Sequence, residues 1–251
     1  MIHSFLLIGQ SNAAGRGFLN EAEPLDNRAG RLKVLRNGLW VKMFRPVNPD
    51  RVTSGVCFAE AFAKAYADIH PNVEVGIIPC ADGGTTISQW QPGQNLFENA
   101  VHCARMAMRT SSLKGILWHQ GEGDCTESLA PLYTERFFGM ADALRKDLDR
   151  PDLPILVGGL GDFLSDHESE SLRKYYPAIN ESLQAIGKEY PRCAFVSAEG
   201  LSGNPDNLHF SAKAQAELGL RYFDAWRPFD QRDDEDVTAY VTTDRSAMEQ
   251  L

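Results

Sequence analysis

Nowhere in its 251 residues does the chain carry an apolar run approaching the roughly 20 residues that would cross a bilayer. No export signal is expected either: Gln10 and Ser11 interrupt the amino-terminal apolar stretch within a few residues, and no charged region or cleavage site frames it. Cysteine is sparse. The five present, Cys57, Cys80, Cys103, Cys125 and Cys193, are odd in number and form no Cys-x-x-Cys pair, which argues against a disulfide framework or a zinc ribbon. A cytoplasmic protein is the expectation. Basic charge is short too, with 25 Lys and Arg against 34 Asp and Glu and a net charge of −9, so neither nucleic acid nor an anionic membrane is an expected partner. Gly15-Arg16-Gly17 has neither nucleotide-loop spacing. His119, Glu122 and Cys125 fall at three-residue intervals, but Gly121 and Gly123 break any regular helix there, and no metal or other cofactor is expected.

What is present is an ordinary globular composition, 43% hydrophobic and 24% charged, enough for one sizeable α/β domain. Phe5 to Ile8 is continuously apolar, as in a parallel strand covered on both faces, and it stops at Gly9-Gln10-Ser11-Asn12. In such sheets ligands bind beyond the carboxyl ends of the strands, so Ser11 stands where chemistry would be sought. A helix over 55–69, a strand over 73–78, a helix over 95–110 and a strand over 115–118 follow. Next come a helix over 129–148, a strand over 155–157, a helix over 171–190, a strand over 194–196 and a helix from Ser211 to Trp226. This alternation predicts a three-layer α/β/α sandwich on a sheet of about five parallel strands. Between Gly17 and Thr53 lies a long excursion with a small hairpin across Asn37-Gly38. The domain is expected to span 1–227. Residues 228–251 form an acidic tail that carries seven acidic and two basic residues.

Two further segments raise the standing of Ser11. In Asp206-Asn207-Leu208-His209 a carboxylate and an imidazole three residues apart can share one side of a turn, the base and orienting acid that nucleophilic catalysis requires. Trp118-His119-Gln120-Gly121-Glu122 crowds polar groups at the end of a buried strand. The other histidines, at 3, 70, 102 and 167, sit where no special role is expected, and His119 reads as a buried structural residue.

Together, Gly9-Gln10-Ser11-Asn12, the block Ala81-Asp82-Gly83-Gly84-Thr85-Thr86-Ile87-Ser88-Gln89-Trp90, Trp118-His119-Gln120-Gly121-Glu122 and Asp206-Asn207-Leu208-His209-Phe210 resemble the ordered blocks of the SGNH hydrolase superfamily. The similarity is to its sialate O-acetylesterase-like and acetylxylan esterase branch, carbohydrate esterase family 6. It covers nearly the whole chain except its tail. The resemblance implies a flavodoxin-like 2-1-3-4-5 strand order and a serine esterase acting on an acetylated small sugar or oligosaccharide, without a cofactor. It implies Ser11 as nucleophile, His209 as general base, and an oxyanion hole made of the Ser11 N–H, the N–H of Gly83 or Gly84, and the Gln120 side chain. Asp206 is the expected orienting acid, with Glu122 of the His-Gln-Gly-Glu block as the other contender. Gln10, Arg16, Trp40 and Trp90 are expected to line the sugar site. Two other readings compete: a non-catalytic carbohydrate-binding protein of the same fold, and a thioesterase or lysophospholipase of the superfamily. Oligomeric state is not legible.

Overall fold

The computed structural model describes residues 1–27 and 29–230; the acidic cluster expected in the tail, Asp233 to Asp236, lies outside the described residues. A seven-stranded sheet runs in the order β3-β2-β4-β1-β5-β6-β7. Its strands are β1 (Ile2–Gly9), β2 (Leu32–Arg36), β3 (Leu39–Lys42), β4 (Glu74–Pro79), β5 (Ser112–His119), β6 (Ile155–Gly158) and β7 (Cys193–Val196). Taken alone, β4-β1-β5-β6-β7 are all parallel and reproduce the implied 2-1-3-4-5 order. The expected count of about five is exceeded because the hairpin joins the sheet. Asn37 and Gly38 both take positive φ (49° and 77°), the geometry that suits a two-residue hairpin turn. Leu32 and Val34 of β2 then align in parallel with Val75 and Ile77 of β4.

The helices are α1 (Ser11–Ala14), α2 (Phe58–Ile69), α3 (Asn95–Met108), α4 (Tyr133–Asp147), α5 (Glu170–Glu189) and α6 (Ala212–Trp226). Side chains alternate across each strand, so β1 feeds two cores. Leu6 and Ile8 join Phe97, Phe137 and Leu183 from α3, α4 and α5 on one face. Phe5 and Leu7 join Phe62 of α2 and Leu218 of α6 on the other. All four β1 side chains are fully buried, which is why the strand carries no polar residue between Phe5 and Ile8. Ser211 caps α6 as its sequence position suggests, its hydroxyl accepting the Ala214 N–H at 3.2 Å. Among the described residues no helix is long and apolar enough to cross a membrane.

Candidate active site

The carboxyl ends of β1, β4 and β5 meet at one edge of the sheet. Gly9 ends β1 with φ 127°, and a Cβ there would sit 2.1 Å from the His119 carbonyl oxygen, so only glycine lets β1 close against β5. The next N–H, of Gln10, donates to that same carbonyl at 3.0 Å. Ser11 follows as the first residue of the short turn of helix α1, nearly buried at 6% exposure.

His209 arrives from the segment before α6. Its Nε2 lies 3.0 Å from Ser11 Oγ and its Nδ1 lies 2.7 Å from Asp206 Oδ2. Asp206 is itself fixed, because its Oδ1 accepts the backbone N–H groups of Leu208 (2.9 Å) and His209 (3.0 Å). Burial raises the Asp206 carboxyl, but the hydrogen bonds from the His209 ring and from these two amides outweigh it and hold the group below the usual aspartate range. With Asp206 anionic, the arrangement places the proton on Nδ1 and leaves Nε2 free to accept one from the serine.

Glu122, the other contender for orienting His209, has a different partner. Its Oε1 accepts from Asn12 Nδ2 at 2.5 Å, and its Oε2 is buried without a partner among the described residues. Burial pushes this carboxyl up to about 7, against the lowering effect of the Asn12 hydrogen bond and with a further push from Asp124. Asn12, for which no separate role was expected, is the connector. Its Nδ2 also donates to the Leu208 carbonyl (3.1 Å) and its Oδ1 accepts the Phe210 N–H (3.1 Å), bracketing His209 from both sides. The signal for it was its place directly after Ser11 in the first block.

Several expected roles change once the packing is seen. Gln120 is wholly buried, and its Nε2 is engaged by Asp124 Oδ2 (2.7 Å), the Thr85 carbonyl (2.9 Å) and Gln10 Oε1 (3.2 Å), so its amide stiffens the loop after β5 and is not free for an oxyanion. Gln10 is buried in that network and also accepts the Gly123 N–H at 3.1 Å, so it does not line a sugar site. Trp90 is 1% exposed, packed edge-on against Trp118 with its indole N–H on Thr85 Oγ1. Trp40 lies on edge strand β3, with its ring against Gly76 in the middle of β4 and its indole N–H on Thr110 just before β5 begins, away from the carboxyl edge. Arg16 is buried and forks onto Asp50 at 2.9 and 2.7 Å. Of the two candidate glycines, Gly83 donates its N–H to Asp50 Oδ2 at 2.8 Å, whereas Gly84 N–H has no acceptor among the described residues. His119 is buried as expected, with Nδ1 3.2 Å from the Tyr222 hydroxyl, and burial pushes it down to about 3, so it stays neutral. Among the described residues no group of three or more His, Cys, Asp or Glu is gathered to hold a metal ion.

Residues 1–227 match the family model described as carbohydrate esterase, sialic acid-specific acetylesterase. The chain is 30% identical over 243 residues to the probable carbohydrate esterase At4g34215 of Arabidopsis thaliana, covering 88% of this chain and 89% of that one. The solved structure of that plant protein superposes with a TM-score of 0.80 at 28% identity, over 90% of this chain and 98% of that one. Likeness of fold extends to NanS (TM-score 0.71, 20% identity, 91% and 97% of the two chains). It extends also to XAC1771, a carbohydrate acetylesterase from Xanthomonas citri (TM-score 0.69, 22% identity, 89% of this chain and 55% of that one).

Proposed function

The chain belongs to the carbohydrate esterase family of sialic acid-specific acetylesterases and is a carbohydrate O-acetylesterase; from that premise we propose that it removes acetyl groups from a sugar hydroxyl through a serine acyl-enzyme. The observation that carries this reading is the unbroken line Asp206–His209–Ser11, two contacts of 2.7 and 3.0 Å. In the proposed route Ser11 Oγ attacks the acetyl carbonyl carbon while His209 Nε2 takes the hydroxyl proton. Negative charge then develops on the former carbonyl oxygen, where the backbone N–H groups of Ser11 and Gly84 are the proposed donors. Collapse breaks the bond to the sugar oxygen, and His209 returns its proton to that leaving group. Water, deprotonated by the same imidazole, attacks the acetyl-serine; the acyl–Oγ bond then breaks as His209 returns that proton to Ser11 Oγ, and acetate is released. Asp206 holds the imidazole tautomer throughout.

Replacing Ser11 by Ala is expected to abolish hydrolysis of p-nitrophenyl acetate and of an acetylated sugar while leaving the thermal unfolding midpoint close to that of the parent. Turnover retained in Ser11→Ala would overturn the serine route. A series of p-nitrophenyl esters with lengthening acyl chains separates the remaining readings. Activity should be greatest with acetate; activity rising with chain length would point to a lipid-type esterase, and none at all to a binding protein.

A further inference from the structure

Residues 48–54, in the connection from β3 to α2, grip the loop after β4 at successive points. Asn48 pairs with both polar backbone atoms of Ala81, donating to its carbonyl (2.9 Å) and accepting its N–H (3.0 Å). Asp50 Oδ2 accepts the Gly83 N–H (2.8 Å), and Arg51 donates to the Gly83 carbonyl (3.1 Å) and to the Asp82 carboxylate (2.7 Å). The same Asp50 also holds the other side of the site. It receives the forked guanidinium of Arg16 and the Ser54 hydroxyl (2.8 Å), and Arg16 lies five residues after Ser11 on the turn that carries it. The Arg16 carbonyl in turn accepts from Asn204 Nδ2 at 3.0 Å, and Asn204 N–H donates to the His209 carbonyl at 2.6 Å.

One buried carboxylate therefore ties the nucleophile's turn to the loop after β4. The packing between them is tight: a Cβ on Gly83 would lie 2.6 Å from Arg16 Nη2, 3.0 Å from Asp50 Oδ2 and 3.4 Å from Ser11 Cβ. The hydrogen bonds also orient the peptide between Gly83 and Gly84. Its carbonyl points to Arg51, and because the peptide is planar and trans its N–H, on Gly84, points the opposite way. We propose that Asp50 is the positioning residue of the oxyanion hole, fixing through Arg16 and Gly83 the place of the Gly84 N–H relative to that of Ser11. This rests on the serine-esterase reading. The Asp50 side chain is 4% exposed, and although burial raises its carboxyl, the bonds from Arg16 and Ser54 outweigh that and keep it below the usual aspartate range. An ionised, paired carboxylate keeps both oxygens as acceptors, as a clamp with this many partners needs.

The test compares Asp50→Asn, Ser54→Ala and Ser11→Ala with the parent on p-nitrophenyl acetate. It also measures inhibition by a small alkylboronic acid, whose tetrahedral serine adduct places an oxygen where the oxyanion forms, and by acetate. Asp50→Asn keeps one acceptor but gives up the ion pair. Removing a single oxyanion donor outright costs about 10²–10³ in kcat, so a misplaced one is expected to cost on the order of 10–100-fold. That loss should fall on kcat with KM changed less than about two-fold, the pattern of an interaction made only in the transition state. The boronate inhibition constant should rise by a matching factor and that of acetate should not. Ser54→Ala, which removes one neutral bond from Asp50, should show the same pattern at roughly two- to ten-fold and serves as the readout if Asp50→Asn does not fold. Folded variants with parental kcat and boronate affinity, or with the loss confined to KM, would overturn the inference. Ser11→Ala separates the two layers: turnover retained there rejects the underlying reading, whereas an inactive Ser11→Ala beside a fully active Asp50→Asn rejects only the clamp.

Discussion

Two carboxylates were candidates to orient His209, and their surroundings differ. The Asp206 side chain is 48% exposed and collects three hydrogen bonds, from the His209 ring and from two backbone amides. Glu122 is 6% exposed, takes one bond from Asn12 and leaves its second oxygen without a partner among the described residues. Hydrogen bonds hold the first carboxyl down and burial pushes the second up to about 7. The contrast supports a different job for each, on the proposed serine route. An acid that must stay anionic beside an imidazole needs donors and some solvent. One that only props an amide can be buried and can share its oxygens with a proton.

Removing the charge from each carboxyl in turn should have very different consequences. Asp206→Asn is expected to lower kcat by on the order of 10²–10⁴, because the amide allows the wrong imidazole tautomer. Steady-state kinetics on an acetyl ester read this directly. Glu122→Gln preserves the shape and the contact to Asn12, and its cost in kcat is expected to stay below about 10²; a loss exceeding that of Asp206→Asn would exchange the two roles.

How much of this was legible depends on the sequence distance between partners. Asp206 and His209 are three residues apart and Ser11 ends a continuous apolar run, so the three residues that the fold brings within hydrogen-bond distance could be named as candidates from spacing, type and the resemblance of their blocks. The five central strands were readable for the same reason, each being a short apolar run between helical patterns. Asp50 and Asn48 were not. They act on Gly83 and Ala81 more than 30 residues away, from a connection with no periodicity to mark a face. Trp40 and Trp90 illustrate the opposite error. An aromatic ring suits a sugar, but nothing in one dimension tells whether it faces the cleft or the core, and both rings turned inward or to the far end of the sheet. Gln120 poses the same difficulty, since an amide able to donate to an oxyanion is equally able to donate to Asp124, as it does here.

A smaller effect sharpens the contrast through pH. Glu122 has its carboxyl raised from 4.5 to about 7 by burial. The native state thus binds its proton more tightly than the unfolded chain does. The stabilisation from that proton is complete below the unfolded value and is lost as pH rises through about 7, at no more than about 1.4 kcal/mol per pH unit. Denaturant unfolding of the parent between pH 4.5 and 7.5 should carry this downward contribution, and Glu122→Gln should remove it, making the variant relatively more stable at the alkaline end. Asp206 has the opposite sign. Its depressed carboxyl contributes stability above the unfolded value and loses it as pH falls through the folded one. An unchanged pH profile in Glu122→Gln would mean that the buried carboxyl is not protonated in the native state.

A Ser11 activated by His209 under the control of Asp206 and not of Glu122 should react with an alkyl fluorophosphonate, which phosphonylates an activated serine without needing the natural substrate. Peptide mass spectrometry of the labelled protein should place the adduct on Ser11. The rate of labelling should drop by two orders of magnitude or more in Asp206→Asn, and by less than about ten-fold in Glu122→Gln. An adduct on any other residue, or labelling slowed more by Glu122→Gln than by Asp206→Asn, would contradict these roles.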